Sequence, residues 1–324
     1  MKYLKNISIL LILLSVYTSC QHTDKKSTIA LLDKTTPTDT PLIFAQGVIS
    51  IDNHLEASIT FNSAMNELFF QRRKPEESHN IYTMKLINDK WSKPTLAPFS
   101  TNKQYLDFHA RFNPKGNRLY FGSTRPLQDT AKSSGLHQWY VEKTANGWSQ
   151  PIPLLDTPFA DRFAMCITPS ANGNLYFTSK EKGQKMEDEG IYYAINKGDK
   201  YAPAQKMGKT INYPGKWIAH PYIAPDESYI IYDAERTSVP ENGDLYISFN
   251  QNGTWTKSYS LGPKINTKLN EGAATVSPDG KYLFFSRGTE KVRADGSKYW
   301  TGDLYWVDFI QLKKELEKEA IRNK

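Results

Sequence analysis

Residues Ala273 to Arg287 read AATVSPDGKYLFFSR: an apolar strand, a tight Ser-Pro-Asp-Gly turn, and a second strand ending in a small residue and a cation. Weaker copies stand upstream at Glu56–Arg72 (EASITFNSAMNELFFQR), His109–Arg125 (HARFNPKGNRLYFGSTR), Ala164–Lys180 (AMCITPSANGNLYFTSK) and His220–Arg236 (HPYIAPDESYIIYDAER). Aligned on Ser63, Pro114, Pro169, Pro225 and Pro278, they recur every 51 to 56 residues. A regular period of that size is the signature of a repeat architecture.

Each unit continues past its paired strands. A third strand is marked by an aromatic cluster (Ile81-Tyr82, Trp139-Tyr140, Ile191-Tyr192-Tyr193, Leu245-Tyr246, Leu304-Tyr305). In four units a short fourth strand follows, opening on Trp91, Trp148, Tyr201 or Trp255. Four antiparallel strands per period with turn residues between them predict an all-β chain, a β-propeller of four-stranded antiparallel blades. Five units are counted. The fifth lacks a fourth strand, and Pro41–Ile51 (PLIFAQGVISI) is predicted to supply it, closing the ring and hiding its free edge. From Phe309 the pattern turns helical, with Phe309, Leu312, Leu316 and Ala320 on one face of a C-terminal cap.

At 324 residues with 39% hydrophobic content the chain can bury a large core, and its net charge of +7 favours anionic partners. No basic run or nucleic-acid motif accompanies that charge, so no nucleic acid is expected as a partner. The first twenty residues place Lys2 and Lys5 before an apolar stretch from Ile7 to Val16, with small residues ahead of Cys20, which predicts a signal peptide over 1–20. Tyr17-Thr18-Ser19-Cys20 resembles the lipobox of bacterial lipoproteins, although Tyr17 stands where an aliphatic residue is usual. The resemblance implies lipidation of Cys20, export, and an outer-membrane anchor as the only membrane contact. Residues 21–40, rich in Thr, Lys and Asp, read as a tether. The propeller is then expected over 41–308 and the helix over 309–324, in a chain acting as a monomer. With Cys20 lipidated, Cys166 has no partner for a disulfide, and in its apolar setting it reads as core.

The Pro-Asp-Gly turns followed by Tyr-Leu-Phe-Phe-Ser resemble the WD-repeat-like propeller repeats of the TolB C-terminal type, over about residues 41–308. Such propellers typically have six blades, and lipoproteins of this build are frequent in bacterial polysaccharide-utilisation systems. The resemblance implies a fold, whereas propellers host many activities.

In a propeller the entry to each first strand and the exit of each second strand gather around one mouth. The entries carry Glu56, Asp107, His109, Arg111, Asp161, Arg162, His220, Tyr222 and Glu271. The exits carry Arg72, Arg125, Lys180, Arg236 and Arg287, a ring of cations suited to an anionic ligand unless they serve only as wetted strand ends. His109 and His220 each stand five residues before a turn proline, and can either handle protons or bond a neighbouring blade. A divalent metal could use His109, His220, Glu56 or Glu271, yet no compact ligand spacing indicates one.

Three functions fit. The first is a carbohydrate-active lyase or dehydratase performing β-elimination on anionic oligosaccharides, of uronic acids with or without sulfate, with His109, His220 and Tyr222 catalytic and the cations, Glu56 and Glu271 binding substrate. The second is a glycoside hydrolase using a pair among Glu56, Asp107, Asp161 and Glu271. The third is a non-catalytic scaffold or glycan-binding lipoprotein.

Overall fold

The computed structural model describes residues 32–33, 35–74, 77–102, 104–127, 135–160, 162–212, 215–235 and 243–322. Cys20, Asp161 and Arg236 lie outside the described residues, as do the expected signal peptide and the first part of the tether.

Strand pairing builds five blades. Blade 1 pairs Leu55–Phe61, Glu67–Arg73 and Asn80–Ile87, and blade 2 pairs Asp107–Phe112, Arg118–Ser123 and His137–Thr144. Blade 3 pairs Ala164–Pro169, Leu175–Ser179 and Gly190–Ala194. Blade 4 pairs Lys216–Ile223, Tyr229–Glu235 and Gly243–Gln251, and blade 5 pairs Asn270–Val276, Tyr282–Val292 and Lys298–Asp308. Two-residue outer strands complete blades 1 to 4. The outer strand of blade 5 comes from the other end of the domain: Leu42 pairs with Trp306 and Ile43 with Tyr305.

The core lies between blades because strand side chains alternate faces. In blade 1, Leu68 and Phe70 face blade 5, packing with Phe284 and Trp306, while Phe69 faces blade 2, packing with Phe112, Leu119 and Phe121. All three blade 1 side chains are fully buried. Phe44 anchors the closing segment, meeting Phe284 and Trp306 edge-on at 5.0 and 5.2 Å. The C-terminal helix, Ile310–Arg322, lays Leu312, Leu316 and Ala320 on the cluster around Tyr229, Phe285 and Phe309.

One local feature repeats in every blade and decides what reaches the axis. The register of the first two strands shifts between Ala57 and Thr60, Phe108 and Arg111, Met165 and Thr168, Ala219 and Tyr222, and Gly272 and Thr275. Each shift is a β-bulge, which bends the strand and re-aims a side chain. The residues at its left-handed position are Ser58, His109, Cys166, His220 and Ala273, with φ between 48° and 57°. This register corrects the repeat alignment, since Thr168 pairs with Tyr176 as Arg111 does with Tyr120, making Ala171 rather than Pro169 the equivalent of Pro114. The blade 3 turn is one residue shorter, closing from Ser170 to Asn174 where blade 2 closes from Asn113 to Arg118. Cys166 therefore occupies the position of the two histidines.

Candidate functional site

The bulge residues converge. The His109 and His220 rings lie 4.7 Å apart at 39°. His109 Nδ1 is hydrogen-bonded to Ser58 Oγ at 2.5 Å, and His220 Nδ1 to the Asp233 carboxylate at 2.9 Å. Donor atoms of His109, Cys166 and His220 all lie within 4.8 Å of one another. Asp233 reaches this place from the second strand of blade 4, where its Oδ1 also accepts from the Ala273 amide at 3.0 Å.

The environment separates the two imidazoles. Burial, then the nearby His220, Arg111 and His79, hold His109 well below the ordinary histidine range. Burial opposes charge at His220 too, but the Asp233 carboxylate and then Cys166 raise it well above that range. Neutral and charged imidazoles thus sit side by side.

Both rings form the floor of a pocket of about 610 Å³, a size that suits a small ligand. It opens beside blade 5, where Gly272, Ala273 and Gly288 leave the space that larger side chains fill elsewhere. Two exposed indoles stand in its wall: Trp217 is 45% and Trp300 37% exposed. Trp300 rides on the long hairpin of Tyr282–Val292 and Lys298–Asp308, which crosses close to blade 1. Gly288 and Gly302 face each other there, and a Cβ on Gly288 would come within 2.5 Å of the Thr301 carbonyl oxygen. His79, Gln71, Glu235, Asn270, Glu271, Ser286 and Asp233 complete the polar lining, and burial lowers His79 to about 4.

The ring of cations takes another form. Arg72 bonds Glu56 through Nε at 2.8 Å and donates to the Ile49 carbonyl, Arg125 bonds Asp107 at 2.8 Å and the Phe99 carbonyl, and Arg287 bonds Glu271 at 2.8 Å and the Ile265 carbonyl. Each guanidinium also lies over aromatic rings of its own blade, such as Tyr82, Trp139 or Tyr305. The device repeats three times and ties each blade to the preceding loop. In blade 3 its polarity is reversed, with Arg162 ahead of the first strand bonding Glu181 after the second at 3.3 Å. Lys180 donates to the Gln184 carbonyl at 2.8 Å. Among the described residues no lysine or arginine lines the pocket, and Glu56, Asp107 and Glu271 are all held by arginine.

Arg111 and Tyr222 lie further down the axis. The buried Arg111 guanidinium donates to the carbonyls of Ile59, Ala273 and Ala274 at 3.0 to 3.2 Å, closing the channel. It lines a second cavity of about 290 Å³ with Tyr222 and the turn prolines Pro114, Pro225 and Pro278. Among the described residues none lines both cavities. The structure unites His109 with His220 and parts Tyr222 from them. It adds Cys166, Asp233, His79, Trp217 and Trp300, of which Cys166 alone shares a repeat position with the histidines, one shown by the strand register and not by the alignment on Pro169.

No protein-family model matches the chain, and no curated protein sequence matches it. Among solved structures it is similar to TolB from Acinetobacter baumannii, at 14% identity and TM-score 0.47, covering 78% of this chain and 57% of that one. It is also similar to an oligogalacturonate lyase in complex with manganese, at 14% identity and TM-score 0.39, covering 77% of this chain and 64% of that one. A third is the periplasmic gluconolactonase of Pseudomonas aeruginosa, at 13% identity and TM-score 0.40, covering 75% and 70%. The chain spans little more than half the length of that TolB. At this distance no activity carries over, and the propeller stands on its own strand pairing.

Proposed function

We propose that the protein is a carbohydrate-active enzyme that performs β-elimination on uronic-acid oligosaccharides in the upper pocket. The observation that carries this reading is the paired imidazoles, His109 and His220, on the floor of a pocket walled by exposed indoles. Indole faces suit the apolar face of a sugar ring, and amide and carboxylate groups suit its hydroxyls. In the reaction His109 takes the proton from the carbon next to the substrate carboxylate. The electron pair left behind forms the carbon–carbon double bond as the neighbouring carbon–oxygen bond breaks, and His220 protonates the departing oxygen. The substrate carboxylate is met by the side-chain N–H groups of Asn270, whose oxygen is taken by the Gly243 amide, since the arginines expected there bind Glu56, Asp107 and Glu271. That pairing also removes the carboxylate pair a glycoside hydrolase would need from those three residues.

The test is ultraviolet absorbance of the protein incubated with a panel of uronic-acid oligosaccharides. A conjugated double bond absorbs where saturated sugars do not, so a rise in absorbance is the expected outcome. A flat trace across the panel, with binding detected by calorimetry, would replace this reading with a glycan-binding protein.

A further inference from the structure

We propose that His109, Cys166 and His220 form a binding site for one thiophilic divalent cation of the zinc class, on the propeller axis at the floor of the upper pocket. Three observations converge. The first is geometric: one donor atom from each residue lies within 4.8 Å of the others, close enough for small side-chain movements to bring all three onto one ion. The second is orientation. Ser58 occupies Nδ1 of His109 and Asp233 occupies Nδ1 of His220, so the second nitrogen of each ring is the one offered. A histidine whose far nitrogen is fixed by a carboxylate or hydroxyl is the usual outer shell of a metal ligand. The third is access, because both histidines line the pocket, which gives an ion its path to them.

The donor set defines the class of ion. One thiolate and two imidazoles favour zinc and its neighbours over magnesium and calcium, which take oxygen ligands. Coordination replaces the thiol proton, and any proton on the two ligating nitrogens, all of which pass to solvent. The three ligands come from the same bulge position of blades 2, 3 and 4, more than fifty residues apart, so no short spacing motif announces them. An ion held here takes both imidazoles out of proton exchange. Zinc is then an inhibitor of the elimination, a consequence that rests on the function proposed above, while the site itself does not.

The experiment uses the full chain, freed of metal by a chelator that is then removed, and titrated with Co²⁺ and afterwards Zn²⁺. The expected result is one equivalent of Co²⁺ bound, with a thiolate-to-cobalt charge-transfer band in the near ultraviolet, visible bands of a four-coordinate ion, and loss of both on adding Zn²⁺. Cys166→Ser, close in shape to the native residue, should lose the charge-transfer band while keeping the native circular dichroism. Asp233→Asn should weaken Co²⁺ binding ~10–100-fold, the range for an outer-shell partner. Absence of the bands at a large excess of Co²⁺, or their persistence in Cys166→Ser, overturns the site. Elimination that proceeds undiminished with zinc bound overturns the inhibition alone, and bands without any elimination by the metal-free protein overturn only the proposed function.

Discussion

Tyr222 and His220 are two residues apart on one strand, yet they open onto different cavities, and substitutions should tell them apart. His109→Gln and His220→Gln should each lower turnover ~10²–10⁴-fold, the range for loss of a general acid or base. Tyr222→Phe should leave turnover within a few-fold of the parent. Initial rates of double-bond formation decide it: unchanged turnover in both histidine variants would remove the upper pocket from the proposed reaction, and a loss in Tyr222→Phe as large as theirs would bring the lower cavity into it. Glu189 gives a second prediction at this scale. It is 5% exposed, its Oε2 has no hydrogen-bond partner among the described residues, and burial, with His220, Asp233 and Lys180 as its charged surroundings, lifts it to about 7. A carboxyl whose folded pKa exceeds its unfolded one costs nothing at pH 4, and that cost grows as pH rises through the window up to about 7. At about 1.4 kcal/mol per unit the full cost is on the order of 3 kcal/mol. Glu189→Gln should therefore raise Tm at pH 8 by several degrees more than at pH 4.5. An equal change at both pH values would show that ionisation of Glu189 is not what costs stability.

Among the elements, the acid–arginine clamp shows what the sequence displayed and what it concealed. Arg72, Arg125 and Arg287 were visible as cations at strand ends, but their partners Glu56, Asp107 and Glu271 lie 16 to 18 residues upstream and meet them only across a register. A repeat copies both members, so a linear reading finds a positive ring where the fold has neutral pairs. Removing one member of a buried pair strands the other, which costs ~3–5 kcal/mol, whereas removing both is far milder. Arg72→Met should destabilise the protein by that amount, and Glu56→Gln with Arg72→Met by much less. Denaturant unfolding of both variants decides it, and an additive pair would show that the clamp is not coupled. Cys166 was hidden for a different reason: Pro169 ends the strand ahead of a turn one residue shorter than the others and draws the alignment two residues off. Asp233 was hidden inside the apolar strand Tyr229–Glu235, and neither Trp217 nor Trp300 occupies a repeated position.

Taken whole, the propeller was legible because every blade carries the same turn and the same alternation of buried side chains, so five weak signals agree. Its closure was legible as well, since a unit short of one strand and an unclaimed apolar segment complete each other. That closure should dominate stability. Phe44 is fully buried between Phe284 and Trp306 at the seam, and Phe44→Ala should cost ~3–5 kcal/mol while lowering the midpoint of a single unfolding transition. A variant of unchanged midpoint would mean that the ring holds without its clasp.

Arg111, anchored to carbonyls of blades 1 and 5, turns the axis of the ring from a bore into a well with a floor. A polymer cannot thread through such a well. On the function proposed above, an oligosaccharide that enters the upper pocket leaves by the mouth it entered, so substrate and product share one route and release of one competes with arrival of the next.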